Sequence, residues 1–184
     1  FLDEAHALGV LGPSGRGVSA EAGVRTELLV GTLGKAFGVS GAFVAARREL
    51  VDFIRNRARS FVFSTAPPPM LMRTALAALE IVRAADDARA QLLEHAAVFR
   101  RELRVLGYEV PDGETHILPV LIGENDRTME LSAELLKRGV FVQGIRPPTV
   151  PPGTARLRLT PMATHRKEHI DRAIDAFAAL ARKA

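Results

Sequence analysis

Apolar positions along the chain change their spacing several times, and each change predicts an element. Residues 1–6 read as the end of a strand, with Phe1 and Leu2 leading into polar residues. Residues 7–17 are rich in glycine and predict a loop. Leu28-Leu29-Val30 opens a short apolar run over 28–32, the pattern of a buried strand. Gly41–Ala46 is a third such run, close enough to predict an adjacent strand. From Glu49 to about Arg59 apolar residues recur at helical spacing through Leu50, Phe53 and Ile54. Phe61–Thr65 then reads as extended. The prolines at 67–69 predict a helix start, since proline is tolerated in a first turn. Two helices are expected over 70–84 and 87–106, broken at Asp86-Asp87, and Gly107 fits a C-terminal cap.

Beyond Gly107 the spacing shortens. Tyr108–Val110, Ile117–Ile122, Val140–Val142 and Leu157–Leu159 read as strands. Asp126 is placed to cap a helix running to Arg138, with Gly139 as its stop. Residues 166–182 predict a closing amphipathic helix capped by Thr164, its stripe formed by Ile170, Ala173, Ile174, Phe177 and Leu180. Strands alternating with helices argue for an α/β first part and a small α+β domain after it. The boundary is expected within 84–110 and is drawn at residues 1–100 and 101–184. There is no internal repeat.

Composition narrows the classes. At 184 residues with 47% hydrophobic content, the chain can bury a core and is not disordered. No apolar run approaches a membrane span, so a membrane partner is not expected. The absence of cysteine excludes disulfides and thiol chemistry, and a cytoplasmic location fits. The net charge of +4 raises the possibility of nucleic acid, but 25 basic residues are interspersed with 21 acidic ones and aromatics are only 5%. The densest basic cluster, Arg55, Arg57 and Arg59, has no stacking partner within it and reads as a solvated face, so nucleic acid is rejected. The first residue is Phe, inside what reads as a strand, which suggests a piece with an N-terminal part missing.

The candidate chemistry centres on Gly31-Thr32-Leu33-Gly34-Lys35-Ala36-Phe37-Gly38. A lysine in a glycine-rich turn holds phosphate as a point charge, or forms a Schiff base with a carbonyl. A nucleotide P-loop needs glycine where Leu29 stands and a hydroxyl residue where Ala36 stands, so that reading fails. Upstream, Asp3-Glu4-Ala5-His6 delivers a carboxylate and an imidazole from another strand end. A tethering lysine with an aspartate for a pyridine nitrogen is the set that pyridoxal phosphate (PLP) needs.

These segments together resemble the α-oxoamine synthases, fold-type I PLP enzymes. The resemblance is carried by Asp3–His6, the glycine-rich Gly9–Gly17, Thr32–Lys35 and the stretch Ile145–Thr160, in the family's order over essentially the whole chain. The segment Ile145–Thr160 is most similar to the biotin-pathway member. The resemblance implies a partial large domain with a mostly parallel sheet, a small C-terminal α+β domain, and condensation of L-alanine with a pimeloyl thioester, on CoA or a carrier protein, with loss of CO2. The family's siblings use glycine or serine with other acyl thioesters.

The same resemblance implies roles. Lys35 would tether the cofactor and move the substrate's α-proton. Asp3 would pair with the pyridinium nitrogen, His6 would meet the phenolic oxygen, and Thr32 the phosphate. Ser64 and Thr65 match a phosphate contact made across the interface of a homodimer with a shared active site. Arg146 and Arg158 match the arginines that bind the substrate carboxylate, and Thr149 lies in the same segment. Arg156 and Arg158 share one strand face, which also fits a plain charged face for at least one of them. The chain alone is expected to hold part of its site, to be poorly soluble and to lack synthase activity, with the segment from about 107 onward folding best.

One motif points elsewhere. His165-Arg166-Lys167-Glu168-His169 spells a zinc-peptidase pattern. It lacks a third ligand, and the segment reads equally as a helix start. No metal is expected.

Overall fold

The structure is a computed structural model describing residues 1–181. The chain divides at Arg89–Ala90 into two compact units. The first is built on a three-stranded sheet in the order β1 (Leu2–Asp3), β2 (Leu28–Thr32), β3 (Ala42–Ala46). β1 runs parallel to β2, with Asp3 opposite Val30. β3 returns antiparallel along the other edge of β2, with Thr32 opposite Ala42.

Between β1 and β2 lie a 3₁₀ turn at Pro13–Gly15 and a single helical turn, α1 (Val18–Glu21). After β3 come α2 (Arg48–Arg57), α3 (Arg59–Val62) and α4 (Pro69–Arg83). Pro69 opens α4 as expected. The extended reading of Phe61–Thr65 is corrected: Phe61 and Val62 belong to α3, whose amides bond back to Ala58 and Arg59. A run this short cannot separate strand from helix by periodicity, and no neighbouring strand offers Phe61 a ladder. The chain then enters α5 (Asp86–Val105), inside which the division falls.

In the second unit β4 (Leu118–Gly123) and β5 (Gln143–Ile145) flank β6 (Ala155–Leu159), all antiparallel. α6 (Asn125–Lys137) and α7 (Lys167–Ala181) complete the unit. Residue 182, the last of the expected closing helix, lies outside the described residues. One apolar core joins Ala96, Phe99 and Leu103 of α5 to Leu131 and Leu135 of α6, to Ile170 and Phe177 of α7, and to the inward residues of β4 and β6. The Phe177 ring meets the Tyr108 ring edge-on with centroids 5.3 Å apart, and the Tyr108 hydroxyl donates to the Phe177 carbonyl at 3.0 Å.

Several sequence readings shift here, for identifiable reasons. Val140–Val142 is not a strand: the Val140 amide closes the end of α6 on Leu135, and the Val142 carbonyl accepts the Ser132 hydroxyl at 2.6 Å. Pairing therefore begins at Gln143. Tyr108–Val110 makes only one bridge, Glu109 to Leu121, because the Val110 carbonyl accepts Arg104 Nε at 2.7 Å. Glu124, not Asp126, occupies the cap of α6, and Asp126 sits in the first turn, where its charge suits the helix dipole. At α7 the Arg166 amide donates to His169 Nδ1 at 3.2 Å, so the helix starts later than a Thr164 cap implied.

The two units differ in burial. In the first, Ala7 and Val39 are the only buried apolar side chains, while Phe63 is 80% and Ile81 71% exposed. The sixteen-residue core lies wholly in the second unit.

Candidate active site

In a parallel pair, both strands deliver their C-terminal ends to the same edge, the place where open α/β sheets bind ligands. β1 and β2 form such a pair. Asp3 ends β1 and His6 follows it in a tight turn, closed by the Ala7 and Leu8 amides donating to the Glu4 carbonyl at 2.9 and 3.0 Å. Asp3 Oδ1 accepts the Ala5 amide at 2.8 Å, which fixes the carboxylate at the turn. Thr32 ends β2, and Lys35 follows three residues later. Asp3, His6, Thr32 and Lys35 are thus gathered at one edge.

The lysine turn is closed at both ends. Leu33 donates to Gly41 at 2.9 Å, Val39 to Leu33 at 2.8 Å and Gly38 to Lys35 at 3.1 Å. Val39 is buried at its base, so Lys35 is presented from a pinned turn with its side chain exposed. The glycine-rich loop packs directly on it. Gly9 has φ +81°, and a Cβ there would lie 2.5 Å from Ala36 Cβ, a distance no side chain survives. Glycine is required so that the His6 loop and the Lys35 turn can touch.

Behind the loop sits Arg89, 7% exposed, donating to the Val82 carbonyl and to Asp86 Oδ1, each at 2.5 Å. Ser64 and Thr65 lie elsewhere in the same unit, on an open cleft of about 950 Å³ that also touches Leu33, Gly41 and Arg55. The Ser64 hydroxyl donates to the Phe61 carbonyl at 3.1 Å.

The other three expected residues are in the second unit. Arg158 is the penultimate residue of the central strand, between Pro119 of β4 and Gln143 of β5. It shares the half-buried face of β6 with Arg156, opposite the core-facing Ala155, Leu157 and Leu159. Arg156 Nε donates to the Thr154 carbonyl at 2.9 Å. Arg146 follows β5 directly, and its carbonyl accepts the Thr149 amide at 3.1 Å. Since Ile145 pairs with Arg156, Arg146 and Arg158 are three rungs apart, roughly 10 Å along the sheet.

Two features of the site were not visible in the amino-acid pattern. Glu4, named above only as part of the Asp3–His6 segment, is 1% exposed. Its clue is positional: strand alternation points it away from Asp3, and α1 begins after Gly17 with no side-chain cap of its own. The second is the Thr32 hydroxyl, whose oxygen is buried with no hydrogen-bond partner. Buried polar atoms are nearly always paired, so this donor at a strand edge fits a ligand oxygen. The zinc pattern packs as two imidazoles meeting edge-on, His165 and His169, with centroids 5.9 Å apart, and each Nδ1 accepts a backbone amide.

Residues 1–177 match the family described as aminotransferase class I and II. The chain belongs to that family. Among curated relatives, an 8-amino-7-oxononanoate synthase from Geobacter metallireducens is 46% identical over 98% of this chain and 47% of its own length. The chain therefore spans about half the length of the curated relatives it matches. A serine palmitoyltransferase structure described as holding a PLP internal aldimine superposes with TM-score 0.92 at 29% identity, covering 98% of this chain and 46% of that one. An 8-amino-7-oxononanoate synthase from Francisella tularensis gives 0.88 at 26% identity, covering 98% and 54%. The fold is thus that of the fold-type I PLP enzymes, here a partial α/β arrangement with small sheets. The orphaned Thr32 hydroxyl, beside Lys35 and at one edge with Asp3, fits a phosphorylated aldehyde cofactor.

Proposed function

We propose that this protein is a PLP-dependent C-acyltransferase that joins L-alanine to a pimeloyl thioester, carried by CoA or a carrier protein, in biotin biosynthesis. The reaction balances as alanine plus thioester giving 8-amino-7-oxononanoate, CO2 and free thiol. The observation that carries the reading is the 46% identity to a relative of that name, extending over 98% of the chain and so through both the lysine segment and the arginine segment. In this reading residues 1–100 are the C-terminal part of the cofactor-binding large domain and 101–184 are the small domain. The enzyme works as a cytoplasmic homodimer, with Ser64 and Thr65 meeting the partner's cofactor phosphate.

PLP, when bound, supplies an electron sink for the carbanion formed at the amino acid's α-carbon. The chain's residues do the rest. Thr32 Oγ1 donates to the phosphate, and the Asp3 carboxylate keeps the ring nitrogen protonated. His6 hydrogen-bonds the phenolic oxygen. Lys35 Nζ holds the cofactor between turnovers and, once released, takes the α-proton of alanine. The Arg158 guanidinium binds the alanine carboxylate through two parallel hydrogen bonds, which orients the α-carbon. Arg146 and Thr149 border the same substrate from the β5 end.

The test is a substrate panel on the whole protein: alanine, glycine and serine, each with pimeloyl, acetyl, succinyl and palmitoyl thioesters. Thiol release should be fastest with alanine and pimeloyl thioester. A clear preference for serine with palmitoyl thioester, or for glycine with an acetyl or succinyl thioester, moves the assignment to a sibling enzyme.

A further inference from the structure

We infer that Glu4 is a positioning residue that holds Asp3 and His6 in place against the cofactor; the inference rests on the cofactor reading above. Every polar group of Glu4 is engaged. Its amide donates to the Val30 carbonyl of β2 at 2.8 Å, and its carbonyl accepts the two amides that close the His6 turn. Its carboxylate, 1% exposed, accepts the Val18 amide through Oε2 at 2.9 Å and the Ser19 amide through Oε1 at 2.8 Å. One residue thereby ties the lysine strand, the His6 turn and the far end of the glycine-rich loop together. Asp3 precedes it and His6 follows two positions later, so these bonds anchor the backbone that carries both.

The site is built for this carboxylate. Gly17 has φ +95°, and a Cβ there would lie 2.5 Å from Oε2 and 2.6 Å from Cδ. Only glycine lets the backbone come that close. A carboxylate is also the group required, because two N–H donors converge on its two oxygens. A carboxamide offers one acceptor and turns its NH2 against the second donor, leaving a buried N–H unpaired.

The experiment uses the whole protein loaded with PLP. Glu4→Gln, Gly17→Ala and the double variant are compared with the parent, and Lys35→Ala serves as the control for the lysine-bound cofactor. Three quantities are read: the thermal midpoint of the cofactor-free protein, the dissociation constant of PLP, and the pH midpoint of the visible absorption band. Glu4→Gln is expected to shift the band's midpoint and to loosen PLP about tenfold, equivalent to about 1.4 kcal/mol. Gly17→Ala should act in the same direction, and the double variant should fall short of the sum, since both break one contact. A lower thermal midpoint with the band and PLP affinity unmoved overturns the positioning role and leaves Glu4 purely structural. A parent without a band that Lys35→Ala abolishes overturns the cofactor reading and the positioning role together.

Discussion

Leu103 and Val105 are two residues apart on α5, and the structure assigns them opposite fates. Leu103 is 0% exposed within the core of the second unit, whereas Val105 is 77% exposed. Truncating a fully buried leucine to alanine costs about 2–5 kcal/mol, the sum of lost transfer energy and the cavity left behind. A unit running from Ala90 to the C-terminus has a total stability on the order of 5–14 kcal/mol at typical values per residue. Leu103→Ala should therefore remove a large fraction of it and lower the thermal midpoint by at least about 8 °C. Val105→Ala should stay within about 0.5 kcal/mol. Residues 90–184 and both variants would be unfolded in urea, requiring equal slopes so that midpoints report stability alone. Equal midpoints for the two variants would refute the assignment of α5 to this core. Limited proteolysis gives a second reading of the same point. The resistant product should begin ahead of Ala96, not near 107 as the strand pattern suggested, because α5 supplies Ala96, Phe99 and Leu103.

Three further outcomes are expected. In the whole protein, Lys35→Ala should abolish the visible band of the lysine-bound cofactor, and borohydride reduction with peptide mapping should label Lys35 in the parent; label on another lysine sinks the assignment. Arg158→Ala should weaken alanine binding by about 1.5–3 kcal/mol, the range for hydrogen bonds to a charged group, with PLP content unchanged; the same loss in Arg156→Ala and none in Arg158→Ala would exchange their roles. Burial, reinforced by the neighbouring His169 and His95, holds the His165 pKa below its ordinary 6.5, so the unfolded chain takes the proton first: stability should be full above about pH 6.5 and fall as pH drops toward the lowered value. Urea midpoints between pH 8 and 5.5 should show this slope in the parent and a flatter one in His165→Gln, and identical slopes would count against it.

How much of this was legible in the residues differs by element. β2 was readable to its bounds because Leu28-Leu29-Val30 leads into a glycine-punctuated turn, the flanking signal that arbitrates a short apolar run. α4 was readable from Pro69, whose fixed φ suits a first turn. β5 was misplaced by three residues because Val140 and Val142 look like a strand while their backbone groups are committed to α6 and Ser132. That commitment is tertiary, and no local pattern encodes it. The same limit applied at the site. Asp3 and Lys35 could be named as candidates from residue type and spacing, and Thr32 from the family resemblance, but a carboxylate that bonds the chain fourteen and fifteen residues ahead could not. Nor could the unpaired Thr32 hydroxyl, which is defined by what its neighbours fail to offer.

The apolar core and the edge that gathers Asp3, His6, Thr32 and Lys35 belong to different units of the chain. The second unit owns the apolar core and needs only its own residues to bury it. The first owns Asp3, His6, Thr32 and Lys35, yet buries only Ala7 and Val39 among its apolar side chains. It leaves an apolar groove of about 850 Å³ lined by Leu8, Leu29, Phe37, Phe43, Leu76 and Leu79. A parallel strand pair is ordinarily covered on both faces, and here this groove stands open. What holds the first unit together locally is polar: the Glu4 clamp, the closed lysine turn and Arg89 behind the loop. Such bonds contribute only about 0.5–1.5 kcal/mol each, somewhat more where a charge is involved, which is enough to shape an edge but not to replace a core. The edge that gathers Asp3, His6, Thr32 and Lys35 is therefore ordered by hydrogen bonds rather than by a buried apolar core.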